Sequence, residues 1–193
     1  MIEDGAGLGR ILFALTDSWA AVVDEHDDGT PITRREYAKL DAFAAEAGEA
    51  AKIPVEFIDV AEVPADLTGV VLIAEEEALH ELAERLGRTP ESLAGRVFLL
   101  NTERISRSGR HVEAIGAAGT ITSLTFGVWS SDPEDAPEGN VFGRKDIAAA
   151  IGASWTPGQF EETEHYCAME HQPDHDTLPG LLGAYLRAYL EAS

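Results

Sequence analysis

The sequence predicts an α/β fold: one domain spanning 1–193, with a mixed sheet of four or five strands on which two N-terminal helices and a C-terminal amphipathic helix pack. Three observations lead there. Short apolar runs bounded by turn residues recur at 55–60, 69–74 and 96–100, segments with helical spacing flank them, and 120–129 alternates from one face to the other. With 193 residues, 45% of them hydrophobic, the chain is long enough to bury a core without disulfides or metals to staple it.

The elements follow in order. Residues 1–7 are expected to be mobile. The run Gly5-Ala6-Gly7-Leu8-Gly9 resembles a glycine-rich phosphate loop, but only four residues precede it and its last glycine misses the G-x-G-x-x-G spacing. Leu8, Leu12, Leu15, Trp19 and Val22 recur at spacings of four, three, four and three, which predicts a first amphipathic helix, closed by the acidic stretch Asp24 to Gly29. Thr33-Arg34-Arg35-Glu36 has the pattern of a capping box, in which hydroxyl and carboxylate satisfy each other's backbone donors. Tyr37, Leu40, Ala44 and Ala47 form the apolar stripe of this second helix.

After Pro54 come strands at Val55 to Val60, Gly69 to Ala74 and Arg96 to Leu100. Between the last two, Ala78, Leu79, Leu82 and Leu86 keep helical spacing and Gly87 marks a stop, giving a strand-helix-strand crossover. Thr89-Pro90-Glu91-Ser92 adds a helical turn. Residues 102–117 read either as a helix carrying Ile105, Val112 and Ile115 or as a hairpin turning at Ser108-Gly109. Thr120 to Trp129 is a half-buried strand, and 130–139 is an acidic, proline-containing loop. A helix is expected from Arg144 to Ile151, and Leu178, Leu181, Leu182, Tyr185, Leu186 and Tyr189 define the closing helix.

Charge restricts function. Thirty-five Asp and Glu stand against 14 Lys and Arg, for a net charge of -21, and Lys39, Lys52 and Lys145 are the only lysines. A high-salt habitat, a GC-rich genome and docking of a basic partner each account for such a surface. Nucleic acid is disfavoured as a partner, because that affinity comes largely from Lys and Arg on phosphates. Arg144 to Gly152 resembles the first helix and turn of a helix-turn-helix, yet the segment after it, 156–167, carries Glu161, Glu162 and Glu164 and no Lys or Arg. No apolar stretch reaches the ~18 residues a membrane helix needs. The start Met-Ile-Glu-Asp lacks a basic leader and Cys167 is the only cysteine, so the expected location is cytoplasmic.

Two constellations remain. Arg104, Arg107, Arg110 and His111, interleaved with Ser106 and Ser108, form a basic island directly after a strand end, and guanidinium forks with hydroxyls suit a phosphate or carboxylate. The competing reading pairs these arginines with the chain's own carboxylates. His165, Cys167, His171 and His175 offer imidazoles and a thiol to a divalent metal such as zinc, or a thiol-imidazole pair for catalysis, although Pro173 interrupts any helix through the last two. The competing reading is a solvated polar loop. The first functional expectation is therefore a non-catalytic interaction or assembly module whose acidic surface meets a basic protein partner or cations, with a homo-oligomer compatible. The second is a small enzyme or ligand-binding protein for an anionic metabolite, metal-assisted at the histidines.

Overall fold

The apolar run Arg10–Leu15 forms the first strand, β1, and four of its residues, Ile11 to Ala14, are at most 1% exposed. Burial on both faces leaves no alternation to read, as in the interior strands of parallel sheets. Described here from a computed structural model, the chain is defined at residues 9–93, 97–101, 123–127, 138–158, 162, 164–170 and 177–192. The helix expected over Leu8 to Val22 does not form at the described residues, 9–22. Its stripe is divided among β1, a 3-10 turn at Asp17–Ala20 and a second strand, β2 (Val22–Glu25), which pairs antiparallel with β3 (Pro31–Thr33) as a separate ribbon. The stripe's spacing is a coincidence of unlike elements: Leu12 and Leu15 lie in β1, Trp19 is buried by the turn and Val22 is exposed on β2.

The capping box is present. Thr33 accepts from the backbone N–H of Glu36, and the Glu36 carboxylate accepts from the Thr33 backbone at 2.8 Å. It opens a short helix, α1 (Arg34–Tyr37), and Lys39, in the left-handed region at φ 51°, breaks the expected second helix before α2 (Leu40–Ala51). The next strands are β4 (Val55–Asp59) and β5 (Val70–Ala74), followed by α3 (Glu76–Arg85), a 3-10 turn at Pro90–Leu93 and β6 (Val97–Asn101). Further on come β7 (Ser123–Gly127), β8 (Glu138–Arg144), α4 (Lys145–Ala150), β9 (Tyr166–Met169) and α5 (Leu178–Glu191).

The main sheet has seven strands rather than four or five, in the order β4-β1-β5-β6-β7-β8-β9. The first five are parallel, and β8 and β9 extend the sheet antiparallel. In chain order the parallel strands run 2-1-3-4-5, the arrangement of a doubly wound sheet. Right-handed crossovers then place the β1-to-β4 connection on one face and the β4-to-β5 and β5-to-β6 connections on the other, because the first moves to one side of β1 and the later ones to the other side. The two cores agree with this. Ile11 and Phe13 pack with α2, α4 and α5, whereas Leu12 and Ala14 pack with α3 and the 60–67 connection.

β8 takes in 138–139 of the expected acidic loop, whose remainder, 130–137, lies outside the described residues, and β9 lies within the segment read as a polar loop; α5 packs on β8 and against α2. Tyr185 is wholly buried there, and its hydroxyl accepts from the Arg144 backbone N–H at 3.0 Å. Gly143 is required below it, since a Cβ would stand 2.6 Å from the ring. Residues 156–158 and 164–167 show turn, bend and strand, so α4 is not followed by a recognition helix among the described residues. Among those residues, no helix is long and apolar enough to cross a membrane.

The α2-α5 contact depends on Gly183. A Cβ there would lie 2.7 Å from Ala50 Cβ and 2.9 Å from the Ala51 nitrogen, and closer still to the Ala47 carbonyl oxygen. Gly183→Ala should therefore lower unfolding free energy by about 1–3 kcal/mol despite alanine's better helix propensity. Urea denaturation checks this, and an unchanged or raised midpoint would mean that the helices are not in contact at that point.

Candidate functional site

Five parallel strands end at one edge of the sheet, and the strand order reverses between β1 and β5. Ligands of open α/β sheets bind outside the carboxyl ends at such a reversal. Among the described residues this edge is built mainly by residues 15–35 and the ends of β4 and β5. After Leu15 the Thr16 and Ser18 hydroxyls lie 2.7 Å apart, and the Asp17–Ala20 turn buries the Trp19 ring to 2% exposure. The ribbon β2-β3 rises from this turn and returns to α1, whose first two residues, fixed by the capping box, are Arg34 and Arg35.

These two arginines reach opposite flanks of β1. On the β5 side, Arg34 makes a bidentate pair with Glu75, Nη2 to Oε1 at 2.5 Å and Nη1 to Oε2 at 3.2 Å, and donates to Ser18 Oγ at 3.2 Å. Its guanidinium lies 4.4 Å from the centre of the Trp19 ring. On the β4 side, Arg35 covers the Phe57 ring at 4.1 Å and binds Asp41 through Nε at 2.8 Å and Nη2 at 2.5 Å. The donated hydrogen bonds hold the Asp41 carboxyl below its ordinary range. An open cleft of about 390 Å³ lies beside this pair, between Thr16, Trp19, Thr33, Phe57 and Asp59.

Both guanidiniums are thus neutralised by a carboxylate and stacked on an aromatic ring. Bidentate pairing of this kind is specific and geometrically rigid. Its chemical effect is to lock the base of the ribbon to both neighbours of β1. The ribbon itself is different: every residue from 20 to 31 is exposed, and Val22 and Val23 are exposed by 59% and 48%.

In comparisons with family models, curated proteins and solved structures, the chain has no match.

The basic island of Arg104, Ser106, Arg107, Ser108, Arg110 and His111 lies outside the described residues, as do His171, His175 and the segment 102–117 read as helix or hairpin. What is described is its point of departure: β6 ends at Asn101, on the same edge as Arg34 and Glu75. Of the second constellation, His165 is exposed, with Nε2 4.0 Å from Glu164, while Cys167 is 1% exposed in the core beside α5. Among the described residues, no group of three or more His, Cys, Asp or Glu is placed to hold a metal ion. The preceding segment is tied down by Lys145, which pairs with Glu162 at 2.5 Å while Glu162 accepts from the Gly158 N–H. That backbone hydrogen bond, aided by Lys145, holds the Glu162 carboxyl below its ordinary range.

The ribbon went unread, although a signal for it was present. Asp28-Gly29 sits between the β-branched ends Val22-Val23 and Ile32-Thr33, a hairpin pattern.

Burial pushes the Cys167 thiol up from 9.0 to about 11. In the unfolded chain the thiol ionises near its ordinary value, so as pH rises from 9 to 11 only the unfolded state loses that proton, and folded stability falls. Comparing Cys167→Ala with the parent across that window should show a shallower decline in the variant. In the same experiment a disulfide reagent at pH 8 should leave the native thiol unmodified and titrate it once urea unfolds the chain. Rapid native modification would place Cys167 at the surface, where it could serve as a ligand or nucleophile.

Proposed function

We propose that this protein is an interaction module whose acidic surface binds a basic partner, with the exposed ribbon as its recognition element. The ribbon carries the proposal: a projecting β-structure with exposed valines and a carboxylate-rich tip, anchored by two aromatic-stacked ion pairs rather than by its own core. The chain-wide charge of -21 acts in the same direction, since a net negative charge of this size steers cationic partners and repels polyanions. The cations described at the ligand-binding edge support it too. Arg34 and Arg35 are each held by an internal carboxylate, which fits a structural platform better than an anion receptor.

A second reading rests on a separate observation. The segment bearing Arg104, Arg107 and Arg110 leaves β6 at the carboxyl edge of the sheet, where doubly wound proteins take phosphate- or carboxylate-bearing ligands. In that reading the island holds an anionic metabolite.

Native purification with a tag at low salt separates the two. The interaction reading expects a stoichiometric protein partner with a basic segment, retained at 0.1 M salt and released near 1 M as the Debye length contracts from about 10 Å to about 3 Å. A small anion recovered instead, and lost from an Arg104, Arg107 and Arg110 triple alanine variant, would favour the metabolite reading and count against the first.

A further inference from the structure

We infer that β2 is a docking edge onto which an extended, basic segment of another protein adds as a further strand. The inference rests on the interaction reading above and specifies its surface and mode. The geometry starts with β3, which is held to the body: Ile32 is 7% exposed, and the strand runs directly into α1, whose Arg34 pairs with Glu75 beyond β5. Of the ribbon's two strands, β2 is therefore the outer one. Among the described residues it pairs with β3 alone, with a bulge between Val22 and Asp24, and all four of its residues are exposed.

A two-stranded ribbon is marginally stable in water, and an edge strand offers unpaired N–H and C=O groups to any chain that can align with it. Proteins commonly blunt such edges with charge, proline, bulges or short strands. β2 is short, bulged and half acidic, which bars like-charged chains, yet it begins with two β-branched residues that serve no core. Val22 and Val23 are the large hydrophobic side chains exposed among the described residues, and their type favours strand pairing.

Charge selects the occupant. Asp24, Glu25, Asp27 and Asp28 stand on β2 and at its turn, and 20–33 contains no Lys or Arg. A second copy of the chain would set these carboxylates against their own kind and bring a further charge of -21, so pairing between copies is repelled. A segment alternating Lys or Arg with β-branched residues meets the carboxylates with opposite charge and the valines with apolar surface. Main-chain hydrogen bonds supply the shared part of the affinity, and the side chains supply the preference. The tip is set in advance: Asp28 accepts from the Thr30 N–H at 2.9 Å, and His26 donates its N–H to the Thr30 carbonyl at 2.8 Å.

Three short synthetic peptides test this on the full chain, followed by amide chemical shifts and calorimetry. One alternates Lys and Val, the second alternates Glu and Val, and the third is the Lys peptide with proline at alternate valines, which keeps the charge and removes ladder donors. The Lys-Val peptide should bind, shift the amides of Val22 to Glu25 and slow their exchange. The Glu peptide should not bind. Proline interruption, or a Val22→Ser/Val23→Ser double substitution that leaves the unfolding midpoint unchanged, should weaken binding by about tenfold or more, the scale of a lost ladder plus apolar contact.

Equal binding of the Lys-Val and proline peptides, or binding unaffected by the valine substitutions, would overturn strand addition while leaving the basic-partner reading standing. Failure of every basic peptide to bind would overturn both. Concentration-dependent dimerisation abolished by the valine substitutions would assign the edge to a second copy instead.

Discussion

Everything else in this fold is arranged around β1, a strand with a partner on each side and a core on each face. Ile11 and Phe13 enter the core under α2 and α5, Leu12 and Ala14 enter the one under α3, and β4 and β5 flank it in parallel register. Burying each large side chain of this kind contributes about 1.5–3 kcal/mol. The larger consequence is topological. Because β1 lies between β4 and β5, the chain must cross first to one side and then to the other, and right-handed crossovers place α2 and α3 on opposite faces. The carboxyl end of β1 thereby becomes the point from which neighbouring connections diverge, and residues 15–35 leave the sheet there.

The same constraint explains the ribbon. The chain leaving β1 at the point of divergence turns away from the sheet, and among the described residues β2 and β3 pair only with each other. Their anchorage falls to α1, whose capping box sets which residues open the helix and thus where Arg34 and Arg35 stand. Each arginine then lies on an aromatic ring supplied by a neighbouring element, Trp19 or Phe57, and takes a carboxylate from another, Glu75 or Asp41. Exposed ion pairs contribute little to stability. The Arg34–Glu75 pair is better sheltered, with side chains 30% and 14% exposed, and its bidentate geometry gives it a positioning role beneath a hairpin that otherwise buries little beyond Ile32.

How much of this was legible in the sequence follows from which signals are local. The strands near 55, 70 and 97, the helices α3, α4 and α5 and the capping box were readable because caps, glycine stops and apolar stripes lie within the element they define. β1 was not readable as a strand, since a run buried on both faces has no period of two. β8 was hidden by Gly139 and Gly143, the latter kept small by Tyr185 from α5, a contact more than 40 positions away in the chain. β9 was obscured by the histidines around it, although Tyr166 to Met169 is itself an apolar run. Within the candidate site, the basic island was visible as composition, whereas the roles of Arg34 and Arg35 depend on aromatic rings and carboxylates brought together only by folding. Cys167 looked like a ligand because its neighbours are polar in sequence, yet the β9 pleat turns it toward α5.

The central claim, that β1 is a doubly covered interior strand of a doubly wound sheet and the ribbon an exposed outgrowth of its end, is tested most directly by residue-resolved amide hydrogen exchange on the isolated chain. Leu12, Phe13 and Ala14 should be among the slowest amides in the molecule, exchanging only through global unfolding, with Val22 to Glu25 orders of magnitude faster. Comparable protection across both segments, or continuous helical chemical shifts from residue 8 to 22, would contradict it.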